Sequence, residues 1–244
     1  MTFTSSSTVR EIALQLPSSI RIFEAFGIDY CCGGNKSLVQ ASQQAGVSPE
    51  RLLEKLSELD VQSADPDFSP WQQASLSSLT KHIAERHHEF VRNEVPRLNS
   101  LFEKVRSRHG SAHPELTPMS LLFGFLGEDM LNHMQKEEQV LFPYIQRLEQ
   151  DSEQGTLPPA TPFGSVDRPV DCMMRDHEKT GREIQQIREW SNGFTLPEGA
   201  CLTYRALYAG LREFEQDLHR HVHLENNILF PRAIGLEAKA CALV

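Results

Sequence analysis

A chain of 244 residues with a formal net charge of −9, carrying 24 Lys and Arg against 33 Asp and Glu, is poorly suited to neutralise phosphates, which argues against a general nucleic-acid binder. Its 39% hydrophobic and 23% charged residues are those of an ordinary globular protein that buries a core without cross-links. Five cysteines, an odd number at irregular spacing, do not form a secreted disulfide framework.

The start, Met1-Thr-Phe-Thr-Ser-Ser-Ser, lacks the basic and apolar regions of a secretory signal, and no stretch approaches a membrane span. A cytoplasmic location, with no membrane partner, is expected. Short helical patterns then cover 9–16, 20–26, 38–45 and 49–59, the last opened by Ser48-Pro49-Glu50 with Ser at the cap and Pro in the first turn. The second ends at Gly27-Ile-Asp-Tyr-Cys31-Cys32-Gly-Gly34. A disulfide between Cys31 and Cys32 is disfavoured by ring strain. The pair is read either as buried thiols in a turn or as exposed thiols for redox, metal or cluster contact. Cys172, Cys201 and Cys241 are isolated and read as small buried hydrophobes.

The run from Gln62 to Pro70 has linker composition, which sets a boundary near residue 65: a small helical domain over 1–65 and a larger one over 66–244. The larger part shows four long helical patterns, about 71–108, 115–150, 167–192 and 198–233, separated by Gly- and Pro-containing breaks. No period-2 alternation is long enough for a strand. The expected fold is all-α, an up-down four-helix bundle with a small helical N-terminal domain.

The buried stripes can be counted. The last helix gives Leu207, Leu211, Phe214, Leu218, His221, Glu225 and Ile228 at steps of three and four. The second gives Leu122, Leu126, Asp129, His133, Glu137, Val140 and Tyr144. The third gives Val170, Met173, His177, Thr180, Ile184 and Ile187, and the first Ala84, His88, Val91, Val95, Leu98 and Phe102. Each helix thus contributes one inward histidine.

The segment His133-Met-Gln-Lys-Glu137-Glu-Gln-Val-Leu-Phe-Pro143 matches His221-Val-His-Leu-Glu225-Asn-Asn-Ile-Leu-Phe-Pro231 position by position. His88 precedes His133 by about as much as His177 precedes His221, so the bundle reads as a duplicated helix pair. His and Glu at i,i+4 share a helix face, and four imidazoles with two carboxylates suit a dinuclear metal site. Energetics agree, because an isolated buried carboxylate costs several kcal/mol and no Lys or Arg falls on these stripes near the ligands. Six N/O ligands without thiolate favour iron over tetrahedral zinc, with manganese left open. Asp129 and Asp176 are either acids orienting a ligating imidazole or solvated carboxylates. His82, His87, His109, His113, His219 and His223 are assigned to the surface or loops, and Glu138 to solvent.

The whole chain resembles the iron-sulfur cluster repair di-iron proteins, the RIC family of YtfE and ScdA type. The DYCCGG motif at 29–34 resembles the hallmark of that family's N-terminal domain, and the segments at 133–143 and 221–231 resemble its hemerythrin-like domain. The resemblance implies that His88, His133, Glu137, His177, His221 and Glu225 ligate two non-haem iron ions bridged by both glutamates, with Cys31 and Cys32 matching the family's cysteine pair. Similarity to oxygen-carrying hemerythrins is partial, since Gly181 stands where they place a fifth histidine. The implied function is repair of clusters damaged by nitrosative or oxidative stress through iron donation, as a donor rather than a turnover enzyme. Damaged iron-sulfur proteins would be its clients and nitric oxide or dioxygen its small ligands, with the chain a monomer or homodimer. Nitric oxide buffering in denitrifying metabolism and nitric oxide reduction at two irons are the alternatives.

Overall fold

The computed structural model describes residues 3–31, 33–59, 68–156 and 162–242. The expected domain boundary near residue 65 and the side chain of Cys32 lie outside these residues. No helix is long and apolar enough to cross a membrane among the described residues, and none of them forms a strand beyond an isolated bridge between Thr8 and Ser37.

Four short helices come first: α1 (Val9–Gln15), α2 (Ser19–Phe26), α3 (Leu38–Gln44) and α4 (Pro49–Ser57). α1 and α3 each begin with a capping box, Thr8 with Glu11 and Ser37 with Gln40, in which the cap side chain and the N3 side chain satisfy one another's backbone N–H. Between α2 and α3 the chain makes a tight turn organised by Asp29. One oxygen of its carboxylate accepts the Cys31 N–H at 3.0 Å and the other the Gly33 N–H at 2.8 Å. A Cβ on Gly33 would lie 2.9 Å from Asp29 Oδ2, so this close approach requires glycine.

The bundle follows as α5 (Leu76–His82), α6 (Glu89–His109), α7 (Leu116–Lys136), α8 (Phe142–Gln154), α9 (Asp167–Trp190), α10 (Leu202–His223) and α11 (Phe230–Ala242). α6 packs between α7 and α10, and α7 against α9. Three of the four long helices are interrupted by a π-helical turn: Ile83–His88, Glu137–Leu141 and Leu224–Leu229. At each, an N–H reaches five residues back, Glu89 to Ala84, Phe142 to Glu137 and Phe230 to Glu225. Such turns insert one residue into a helix and concentrate at functional sites.

The inserted residue corrects the expected stripes. Past Glu137 the inner position is Leu141, 2% exposed, rather than Val140, 50% exposed. Before His88 it is Ile83, fully buried, rather than Ala84, which is half-buried. The last helix also runs to Ala242, beyond the expected 233, because Glu237 anchors it by accepting the Val166 N–H at 3.0 Å and the Ser165 hydroxyl at 2.7 Å.

One continuous apolar cluster joins the N-terminal helices (Ile20, Phe23, Tyr30, Leu52) through Phe68 to Leu141, Phe142, Leu229 and Phe230. A second fills the other end of the bundle from Val91 to Phe214. The N-terminal helices are also held by polar contacts. Glu24 accepts the Tyr30 hydroxyl at 3.0 Å and pairs with Arg220 at 3.0 Å, and Asn227 donates to the Tyr30 carbonyl at 3.1 Å.

Candidate metal centre

The six residues singled out on the stripes converge on one interior site. Their ligand atoms form two groups, His88, Glu137, His221 and Glu225, and His133, Glu137, His177 and Glu225, within each of which all atoms lie within 4.8 Å of one another. Both glutamates belong to both groups. Glu137 turns Oε2 to His88 and Oε1 to His133, each at 3.4 Å. Glu225 turns Oε1 to His221 at 3.0 Å and Oε2 to His177 at 3.1 Å. Each histidine pair combines one residue from each half of the internal repeat.

Whether these residues suit a cation can be tested on the interior itself. Both glutamates are fully buried, and Glu137 Oε1, Glu137 Oε2 and Glu225 Oε2 meet only imidazole nitrogens, at 3.4, 3.4 and 3.1 Å, none in good hydrogen-bond geometry. Among the described residues no Lys or Arg reaches either carboxylate. The imidazole Nε2 atoms face each other, His88 to His221 at 3.2 Å and His177 to His133 at 3.0 Å. Four imidazole nitrogens and two buried carboxylates crowded this closely are costly without positive charge and favourable around a cation.

The titration behaviour follows from the same geometry. Burial depresses His88 and His133, but Glu137 and Glu225 outweigh it, with Asp176 helping at His133, and raise each to about 10. Burial would push Glu137 upward and Glu225 adds to this, yet His133 and His88 hold it below the ordinary carboxylate value. Glu225 is held well below that value, His221, His177 and His88 together overcoming its burial. Burial keeps His221 low despite Glu225. Without a metal, protons on His88 and His133 offset the carboxylates, and a bound cation displaces them.

The repeated motif does more than supply ligands. The residue after each glutamate receives the Nδ1–H of a histidine from the preceding helix, Glu138 from His88 at 2.6 Å and Asn226 from His177 at 2.8 Å. The phenylalanine of each Leu-Phe-Pro stacks on that same ring, Phe142 on His88 at 5.6 Å and Phe230 on His177 at 6.1 Å between centroids. Fixing Nδ1 leaves Nε2 aimed at the cation. Glu138 is therefore not simply solvent-facing as expected, because the π turn rotates it towards His88.

Of the two aspartates, Asp176 lies 3.3 Å from His133 Nδ1. Asp129 is exposed and paired with Lys179, so of its two readings the structure matches the solvated carboxylate: its stripe position falls at the edge of α7, beside a lysine from α9. Two histidines assigned to the surface are buried. His87, 5% exposed, donates Nδ1–H to Asp217 at 3.0 Å and lies parallel to His221, because the widened turn brings neighbouring residues 87 and 88 both inward. His223, 1% exposed, sits between Tyr30 and Phe68 and is pushed down to about 3 by burial. The outer face of α10 is covered by the N-terminal helices. A signal existed, since Gln135, Lys136 and Glu138 of the first copy become His223, Leu224 and Asn226 in the second, which loses its charged face.

Cys31 is buried, 5% exposed, with its thiol donated to Asp29 at 3.2 Å. It lines a groove of about 600 Å³ between the Asp29 turn and helices α9 and α10. Exposure of this thiol is not found, because the Asp29 cap turns it inward. Cys201 is half-buried at the start of α10 and Cys241 is exposed, which corrects their reading as buried hydrophobes.

Comparison with known proteins completes the picture. The Hemerythrin HHE cation binding domain family matches residues 79–233, and ScdA_N, a domain of unknown function, matches residues 5–60. The iron-sulfur cluster repair protein YtfE of Dickeya chrysanthemi (strain Ech1591) is 36% identical over 92% of this chain and 95% of its own length. The YtfE protein of Yersinia pseudotuberculosis serotype IB (strain PB1/+) is 34% identical over 91% of this chain and 94% of its own length. This chain belongs to the YtfE family of iron-sulfur cluster repair proteins. In this family member the hemerythrin match contains all six converging residues and the ScdA_N match contains the Asp29 turn with Cys31. The match to a cation binding domain and the His and Glu cluster inside it together support metal binding.

Proposed function

We propose that this chain repairs damaged iron-sulfur clusters, and that its bundle holds two iron ions, one between His88 and His221 and one between His133 and His177, bridged by Glu137 and Glu225. The observation that supports the pair is the sharing of both carboxylates by both histidine pairs. Iron held there would supply a transferable metal and coordination positions open to a small ligand such as nitric oxide or dioxygen. The protein's own part is positional. Glu138 and Asn226 fix two imidazoles, Phe142 and Phe230 cover their faces, and π turns set the inward register of both glutamates. In this reading the chain acts in the cytoplasm as an iron donor, with iron-sulfur proteins as clients.

The test is transfer. An anaerobically iron-loaded chain is mixed with an iron-sulfur enzyme inactivated by nitric oxide, with no other iron present. The client regains activity as iron leaves the chain. A client that stays inactive while nitrosyl remains bound to the bundle would leave buffering as the function.

A further inference from the structure

We infer that Asp217, held in place by His87, is the hydrogen-bond acceptor that positions His221 for a cation, a role that rests on the metal centre proposed above.

Three of the four imidazoles have a partner at Nδ1: Glu138 at His88, Asp176 at His133 and Asn226 at His177. His221 differs. Its Nε2 faces Glu225 at 3.0 Å and His88 at 3.2 Å, so as a neutral ligand it carries its proton on Nδ1. That Nδ1 is buried and has no hydrogen-bond partner. Asp217 stands one turn earlier on the same face of α10, 7% exposed, and its Oδ2 is likewise buried and without a partner. His87 touches both. It donates Nδ1–H to Asp217 Oδ1 at 3.0 Å and lies along the His221 ring at 10°, with 5.6 Å between centroids. An inward side chain on a helix leans over the preceding turn, which directs the His221 ring towards Asp217. Rotation of the carboxylate, or one bridging water, joins the two.

The internal repeat shows why the acceptor differs between the halves. Asp129 precedes His133 by four residues as Asp217 precedes His221, and Asp176 directly precedes His177 as His87 precedes His88. Around His133, Asp129 is drawn out to Lys179, and Asp176 from α9 faces the imidazole Nδ1. Around His221 a histidine occupies the place of Asp176, so the carboxylate comes from α10 and His87 anchors it. A carboxylate behind an imidazole fixes its tautomer and strengthens its hold on a cation.

The experiment loads the full chain anaerobically with ferrous iron, counted after desalting, and in parallel with cobalt(II), whose paramagnetism moves the N–H proton of each ligating imidazole far from the rest of the proton NMR spectrum. Four such signals are expected, one for each histidine of the cluster. In Asp217→Ala one signal is lost to exchange with water, and one ion is held about 10- to 100-fold more weakly in chelator competition. Asp217→Asn, which keeps the shape and an acceptor oxygen but not the charge, retains that signal at a shifted position and recovers part of the affinity. Asp129→Asn changes neither. If Asp217→Ala does not fold, Asp217→Asn decides, and four unmoved signals in it would overturn the inference. So would an Asp217→Ala chain that melts lower yet keeps all four signals and both affinities. One ion per wild-type chain, with one signal still lost in Asp217→Ala, would overturn the two-iron reading and leave the role of Asp217 standing.

Discussion

Glu138 accepts the Nδ1–H of His88 at 2.6 Å while holding the Arg92 guanidinium at 2.7 Å. A charged network thus stands directly behind an imidazole of the proposed metal centre. Glu138→Ala is expected to weaken metal binding by about 10- to 100-fold, measured by chelator competition. Because Arg92 and Glu138 are 35% and 29% exposed, the ion pair itself adds little to stability. A thermal midpoint that falls while affinity holds would show Glu138 to be merely structural.

The metal-free protein is expected to be most stable near pH 6.5. His88 and His133 are raised to about 10 in the fold, so their contribution is complete below 6.5 and is lost as pH rises through 10. His221 is lowered, and His223 lies near 3. Below 6.5 the unfolded chain therefore takes up protons that the fold refuses, and stability falls again. Metal loading should abolish the alkaline decline, since the cation replaces the two protons. Thermal unfolding from pH 5 to 9, with and without metal, checks both signs.

Gly127 marks where α7 crosses α6, and a Cβ there would lie 2.6 Å from Val95 Cγ1. Gly→Ala in a helix gains up to about 1 kcal/mol of propensity, but overpacking a core typically costs about 1–3 kcal/mol. Gly127→Ala is expected to be net destabilising, with Val95→Ala recovering part of the loss in the double variant. Urea denaturation decides, and a stabilised single variant would contradict the packing.

Cys201 occupies the N-cap of α10, with His109 Nε2 at 3.2 Å from its sulfur. The backbone N–H of Tyr204 and then His109 lower its thiol to about 7. Its alkylation rate should rise through pH 7 rather than 9, because the thiolate is the nucleophile, and His109→Ala should move the midpoint upward. Mass spectrometry of the peptide carrying Cys201, set against that carrying Cys241, reads this out.

How far the molecule is legible in its sequence depends on which physical signal each residue carries. His133, Glu137, His221 and Glu225 stand out because a core stripe tolerates ionisable groups only when they are compensated, and because the motif occurs twice. The roles of Glu138 and His87 are hidden, since regular periodicity assumes 3.6 residues per turn and each π turn shifts the phase. The prolines after both Leu-Phe pairs hint at it: Pro143 and Pro231 lack an N–H, so a helix continuing through them must change its bonding. His223 is buried by Tyr30 and Phe68, distant in sequence, so only the loss of the charged face in the second copy of the motif points to it. Asp129 shares the stripe but sits at its rim.

The shared glutamates make the most direct test of the metal centre. Ferrous iron is titrated anaerobically into the full chain and into Glu137→Ala, with bound iron counted after desalting. Two irons per wild-type chain are predicted, with both positions weakened by the single substitution because Glu137 faces both histidine pairs. Saturation at one iron per wild-type chain, or loss of only one position in Glu137→Ala, would contradict the bridged pair.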